Sequence, residues 1–304
     1  MSARIVVGYT ATDAGADALS LGVRLARATD AALDLVVVLP SEERSVITPP
    51  NASYDRYLEE QAEAWLAQAS ERVVDGVAHE THVRRAESFA EGLLDSAHEY
   101  GASLIVVGAA NGGLRGRHRL GTVASELLHS ADVPVALAPE GTRRIDPTSG
   151  VSRITAAIGL RPGADVLLDE SIALAKATGA ELRLVSLVAL DLPAGLAGNE
   201  SAAQHADEVY VHVRAALPKG IKADSVVALG DSIEDAVSHL SWEPSELAVV
   251  GSSRLAQPRR LFLGSTAAKM LHELPVPMIV VPRTHGSHSA GAPSRRGAEE
   301  GERA

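Results

Sequence analysis

Short apolar runs rich in Val, Ile and Leu alternate along this chain with longer segments whose apolar positions recur at a helical period. In the first half the runs lie near 3–9, 32–39, 77–84, 103–108 and 133–138, and each reads as a strand. Between them, Leu19, Gly22, Val23 and Ala26 fall at i, i+3, i+4 and i+7, and Phe89, Leu93 and Ala97 at i, i+4 and i+8. These spacings put an apolar stripe on one face of a helix. A like stripe recurs later as Ile233, Ala236, Val237 and Leu240. The longest helix is predicted over 53–74, with Leu58, Ala62, Trp65 and Ala69 towards the core and Glu59, Glu60, Glu63 and Glu71 largely elsewhere. Strand and helix in alternation make βαβ units, so the predicted class is α/β with a mostly parallel sheet.

The chain also repeats itself. RIVVGYTATDAG, starting at Arg4, finds a partner in RITAAIGLRPG, starting at Arg153. Further on, LIVVG at Leu104 matches LAVVG at Leu247, LGT at Leu120 matches LGS at Leu263, and VPVALAP at Val133 matches VPMIVVP at Val276, all at an offset of 143. Two domains are expected, 1–139 and 151–282. Residues 140–150 (EGTRRIDPTSG), rich in Gly, Pro, Thr and Ser, read as a linker. Residues 283–304 have almost no apolar side chains and are expected to be disordered. His285 and His288 in that tail offer neither the ligand count nor the geometry of a metal site.

Composition narrows the chemistry. Hydrophobic residues make up 46% of the chain but aromatics only 3%, so the cores must be built of Ala, Val, Leu and Ile. A formal charge of -11 argues against a broad nucleic-acid-binding face. The absence of cysteine removes disulfides, thiolate zinc sites and cysteine nucleophiles. No stretch approaches the length of a membrane span and the start lacks a secretory apolar core, so a cytoplasmic protein is expected.

The motif that carries chemistry follows the fourth strand of each copy. The first reads Gly108-Ala-Ala-Asn111, nine residues, then Gly121-Thr122, and the second reads Gly251-Ser-Ser-Arg254, nine residues, then Gly264-Ser265. Open parallel sheets bind ligands outside the carboxyl ends of their strands. A Gly at a helix start lets backbone amides approach a phosphate, and the hydroxyl of Thr122 or Ser265 can add a donor. Residues 109–120 carry Arg115, Arg117, His118 and Arg119, residues 252–263 carry Arg254, Arg259 and Arg260, and neither stretch has an acid. A nucleotide or another phosphorylated small molecule suits that charge. Thr122 and Ser265 as plain N-caps is the alternative.

These residues resemble the universal stress protein family in its tandem two-domain form, over nearly the whole chain to about Pro282. The resemblance implies a Rossmann-like fold related to the adenine nucleotide alpha hydrolases, each domain an open five-stranded sheet with helices on both faces, and ATP phosphates on the GxxG, nine residues, Gly-Ser/Thr turn. It carries Gly108, Gly121, Thr122 and Val123 over as binding residues, with Gly251, Gly264, Ser265 and Thr266 in the second copy. It also implies that the halves pair through Val135–Ala138 and Met278–Val281, and pairing of two whole chains stays open. The motif's second glycine is replaced by Asn111, with Gly112 beside it, and by Arg254. Asn tolerates a left-handed backbone better than Arg. Where ATP-binding members carry an Asp after the first strand, this chain has Thr10 and Gly159, and Asp13 is expected to cap the next helix. The first copy is therefore the better candidate for ATP.

Other constellations point to structure. His79 and His82 lie three apart in a strand, on opposite faces, and make a poor metal pair. His129 and His272 end matching helices, where a donor suits the dipole. There is no GxSxG elbow, no Walker motif and no SGGxDS loop. Three functions stay open: a nucleotide-binding stress adaptor without strong catalysis, a module for an unidentified protein partner that has lost nucleotide binding, and a slow ATPase, for which neither loop offers a basic carboxylate.

Overall fold

A computed structural model of the chain describes residues 3–41, 52–110, 120–159, 163–189, 211, 223–253 and 261–282. The first copy runs β1 (Arg4–Gly8), α1 (Asp13–Thr29), β2 (Ala32–Pro40), α2 (Ala52–Ser70), β3 (His79–Ala86), α3 (Phe89–Tyr100), β4 (Leu104–Gly108), α4 (Thr122–Ser130) and β5 (Val135–Ala138). The second runs β6 (Arg153–Ala157), α5 (Ala164–Thr178), β7 (Glu181–Ala189), β8 (Ala223–Gly230), α6 (Ile233–Ser238), β9 (Leu247–Gly251), α7 (Ser265–Glu273) and β10 (Met278–Val281).

The strands form one ten-stranded sheet in the order β3-β2-β1-β4-β5-β10-β9-β6-β7-β8. Pairings inside each copy are parallel, and β5 meets β10 antiparallel, with Leu137 opposite Met278, Ala136 opposite Ile279 and Val135 opposite Val280. The two five-stranded halves are thus continuous rather than separate. Ala136 and Ile279 are equivalent positions (279 − 136 = 143), so a local twofold axis passes between them.

Alternation along each strand feeds two cores. Ile5, Val7, Leu33, Leu35, Val106, Ala136, Val249 and Ile279 face one side with α1, α2 and α5. Val6, Val36, Ile105, Val107, Leu137, Val250 and Val280 face the other with α3, α4, α6 and α7. Both cores cross the seam between the copies. Trp65 packs half-buried against the first of them.

Three local expectations change. Helix α2 stops at Ser70 rather than 74, because the next amides fold back into tighter bonds, Arg72 N to Ala69 O at 3.0 Å and Val73 N to Ser70 O at 3.1 Å. The cap of α1 is Thr12, whose Oγ1 accepts from Gly15 N at 3.3 Å, and Asp13 is the first helical residue. Residues 140–150 are not a loose tether. They form two short 3-10 turns, Thr142–Arg144 and Pro147–Ser149, docked on α1.

Asp17 makes that dock. Its buried carboxylate accepts from Gly141 N at 3.2 Å, from Arg143 N at 2.7 Å and from Arg143 Nη1 at 2.8 Å, and Arg143 also reaches Asp13. Burial raises the Asp17 pKa despite the pull of these donors. Further along the same helix, Arg24 is 1% exposed, with Nε and Nη2 unpartnered and one long bond, 3.5 Å from Nη1 to the Pro244 carbonyl of the second copy. Burial lowers its pKa to about 10.

Candidate functional site

At the carboxyl ends of β1 and β4 the first copy's backbone is packed too tightly for side chains. A Cβ on Gly15 would lie 1.9 Å from Thr10 O, and one on Gly108 would lie 2.1 Å from Ala14 O. The turn carrying Thr10 and the end of β4 therefore meet across the first turn of α1. Thr10 is half-buried, and its hydroxyl lies 2.9 Å from that of Thr12. Past β4, Ala109 N donates to Ala138 O at 2.7 Å, which holds the exit of the strand, and Ala110 lies against Gly121, where a Cβ would come within 3.3 Å of its own.

Gly121 is the N-cap of α4, in extended backbone, and no side chain caps the helix. Thr122 is the first helical residue and exposed, so the plain N-cap reading does not hold for it, and the same is true of Ser265 behind Gly264 in the second copy. First-turn amides without a side-chain cap are the arrangement that receives anions. An open groove of ≈ 550 Å³ runs from there along the helix, lined by Leu120, Gly121, Thr122, Ser125, Glu126 and His129. Val123 turns instead towards the core.

Asn111, Gly112 and Arg254, with the basic residues at 115, 117–119, 259 and 260, lie outside the described residues. In the second copy a Cβ built on Gly251 meets no atom of the described residues nearer than 3.7 Å, and one on Gly159 meets none of them within 4 Å. The second turn is fastened through Phe262: Ser252 Oγ accepts from Phe262 N at 2.8 Å, Ser253 N donates to Phe262 O at 2.8 Å, and Gly264 lies on Ser253. Thr266 follows half-buried on α7.

A sequence reading centred on the loops misses Glu126 and His129 as groove residues. Their signal is the polar face Thr122, Ser125, Glu126, His129, at i, i+3, i+4 and i+7 of α4. The counterpart of Glu126 in the second copy is Lys269 (269 − 126 = 143). Away from the groove, His79 and His82 do turn to opposite faces, His79 to Ser70 of α2 and His82 onto the Tyr100 ring of α3 at 4.3 Å. Asp34, Glu80 and His82 come close enough to hold a metal ion, but the Arg4 guanidinium already pairs with Asp34 and reaches Glu80 at 3.5 Å. A resident cation of the protein's own fills that position. The corresponding end of the second copy carries a different network, with buried Glu246 accepting from Arg153 and Arg183, each at 2.7 Å, and from Thr155.

The universal stress protein family model matches residues 1–139 and again 150–282. The chain belongs to the universal stress protein family. Among curated relatives, universal stress protein Rv2319c of Mycobacterium tuberculosis and universal stress protein Mb2346c of Mycobacterium bovis are each 29% identical over 297 residues, covering 91% of this chain and 99% of theirs. Among solved structures, a universal stress protein from Archaeoglobus fulgidus superposes with a TM-score of 0.67 at 16% identity, over 92% of this chain and 98% of that one. A universal stress protein described as putative from Pseudomonas aeruginosa gives 0.59, also at 16% identity and over 92% of each chain. These similarities fix the fold of this universal stress protein. No helix among its described residues is long and apolar enough to cross a membrane.

Proposed function

We propose that this universal stress protein binds ATP or a related adenine nucleotide at the first copy's turn and acts as a cytoplasmic stress-response adaptor, holding its ligand rather than turning it over. The observation that carries this reading is the open start of α4. Its cap residue is Gly121, without a side-chain cap, so the first turn can offer its amides to phosphate oxygens while Thr122 adds a hydroxyl. The adjoining groove of ≈ 550 Å³ falls within the usual range of small-molecule sites, roughly 300 to 1,000 Å³. Gly108 and Thr10 are drawn to the same end of the sheet by the close packing on α1. The domains in this reading are 1–139 and 151–282, with 140–150 fastened between them by Asp17.

A second reading applies to the second copy, as a surface for a protein partner. Gly159 stands where an acid would meet a nucleoside, and Ser252 is already committed to Phe262. Hydrolysis would need a base, and Glu126 is the one carboxylate among the groove residues.

Thermal unfolding with and without millimolar ATP, each with and without magnesium, tests the proposal. A ligand at 100 times its Kd adds about 2.7 kcal/mol to stability, and Gly121→Glu should abolish the ATP-dependent rise while leaving the ligand-free transition nearly in place. An ATP-independent transition in the wild type would refute it. Phosphate release that Gly121→Glu abolishes would establish turnover instead.

A further inference from the structure

Helix α4 carries a binding turn at each end. At its N terminus lie Gly121 and Thr122 of the first copy. At its C terminus the buried Ala131 accepts a hydrogen bond from Leu261 N at 2.7 Å, and the His129 ring meets the Phe262 ring edge-on, 5.0 Å between centroids. Leu261 and Phe262 belong to the second copy, three and two residues before Gly264. Phe262 is held to that copy's own turn by Ser252 and Ser253, as described. His129 is fixed in turn, since its Nδ1 donates to Ser125 O at 2.6 Å, and Ser125 and His129 both line the first copy's groove.

We infer that Phe262 is a positioning residue for the first copy's site: the second copy's turn, seated on His129 and Ala131, sets the groove whose far end is Gly121–Thr122. This rests on the reading that a nucleotide binds there. A helix of nine residues is only about 13 Å long and moves as one body, so a shift at Ala131 is felt at Gly121. Coupling of this kind is reciprocal in binding free energy.

The test is calorimetric titration of the full chain with ATP, following the binding event that Gly121→Glu abolishes. Phe262→Ala should weaken that event about 2- to 10-fold, the range expected for losing one edge-to-face pair, acting through the ring of His129. Phe262→Tyr should restore it. His129→Gln, at an exposed position that tolerates change, should weaken it similarly, and the double variant Phe262→Ala/His129→Gln should be no weaker than the worse single one. Affinities unchanged in both single variants, or effects that simply add, would overturn the coupling and leave the nucleotide site standing. If Gly121→Glu removes no ATP binding, the site itself falls and the coupling with it.

Discussion

Replacing Arg24 with methionine should stabilise this protein. Arg24 is buried in α1 where that helix meets the second copy, and among the described residues the pairing expected of a buried guanidinium is missing. Burial lowers its pKa from the ordinary guanidinium value to about 10. At about 1.4 kcal/mol for each tenfold change in proton affinity, that fall corresponds to roughly 3 kcal/mol held against the folded state. Methionine keeps the unbranched stem and removes the charge, and it forfeits only a long bond to Pro244 O. The expected gain is about 2–3 kcal/mol, or a rise in Tm of roughly 5–10 °C for a unit of this size. The pH dependence has a definite sign. The folded pKa is the lower one, so from about pH 10 upwards, until the unfolded chain titrates as well, the unfolded chain holds more protons and wild-type stability from this group rises with pH. The advantage of Arg24→Met should be full below pH 10 and shrink above it. Urea unfolding at pH 7 and pH 10.5 measures both. A variant less stable than the wild type at pH 7 would refute the reasoning, because it would mean the guanidinium has a partner that offsets its burial.

Other predictions concern the turns and the dock. Gly108→Ala should cost about 1–3 kcal/mol, since its Cβ meets backbone at 2.1 Å, while Gly251→Ala, with its nearest neighbour among the described residues at 3.7 Å, should stay within about 0.5 kcal/mol by urea unfolding. Equal costs would contradict the difference in crowding. Asp17→Ala strips three donors of their acceptor and should cost about 2 kcal/mol, with limited proteolysis quickening between 140 and 150; an unchanged cleavage rate there would argue that the dock is held by other contacts. Glu126→Lys, which copies Lys269, should tighten ATP binding several-fold at low salt. The charge lies one helical turn, about 6 Å, from Thr122, where each unit charge counts for about 0.7 kcal/mol in water. Added salt should erase most of the gain.

The sheet was the easiest part to read from sequence, because Val-rich runs such as LIVVG and LAVVG recur in register and leave little choice of element. The turn was legible as a spacing of glycines. What packs against those glycines was not, since Ala14 and Ala110 show their proximity only once the strands are laid side by side. The dock of residues 140–150 escaped for a similar reason. Asp17 serves backbone amides 124 and 126 residues away, and nothing in a Gly-, Pro- and Ser-rich stretch advertises amide donors. Arg24 escaped because helical periodicity allots an arginine to the solvent side, and α1 has little such side once the second copy and the dock cover it.

The seam between β5 and β10 bears on why two copies share one chain. In a dimer of identical subunits the residue on the twofold axis faces itself, so its size is chosen twice over: two small side chains leave a gap, and two large ones collide. Here Ala136 faces Ile279. Fusion has released that position from self-complementarity, and the pair has settled on one small and one large side chain, both buried in the same core. Two separately made halves would each inherit an ill-matched edge. The tandem chain has thereby become committed to its own internal partner, and its two turns have been free to diverge.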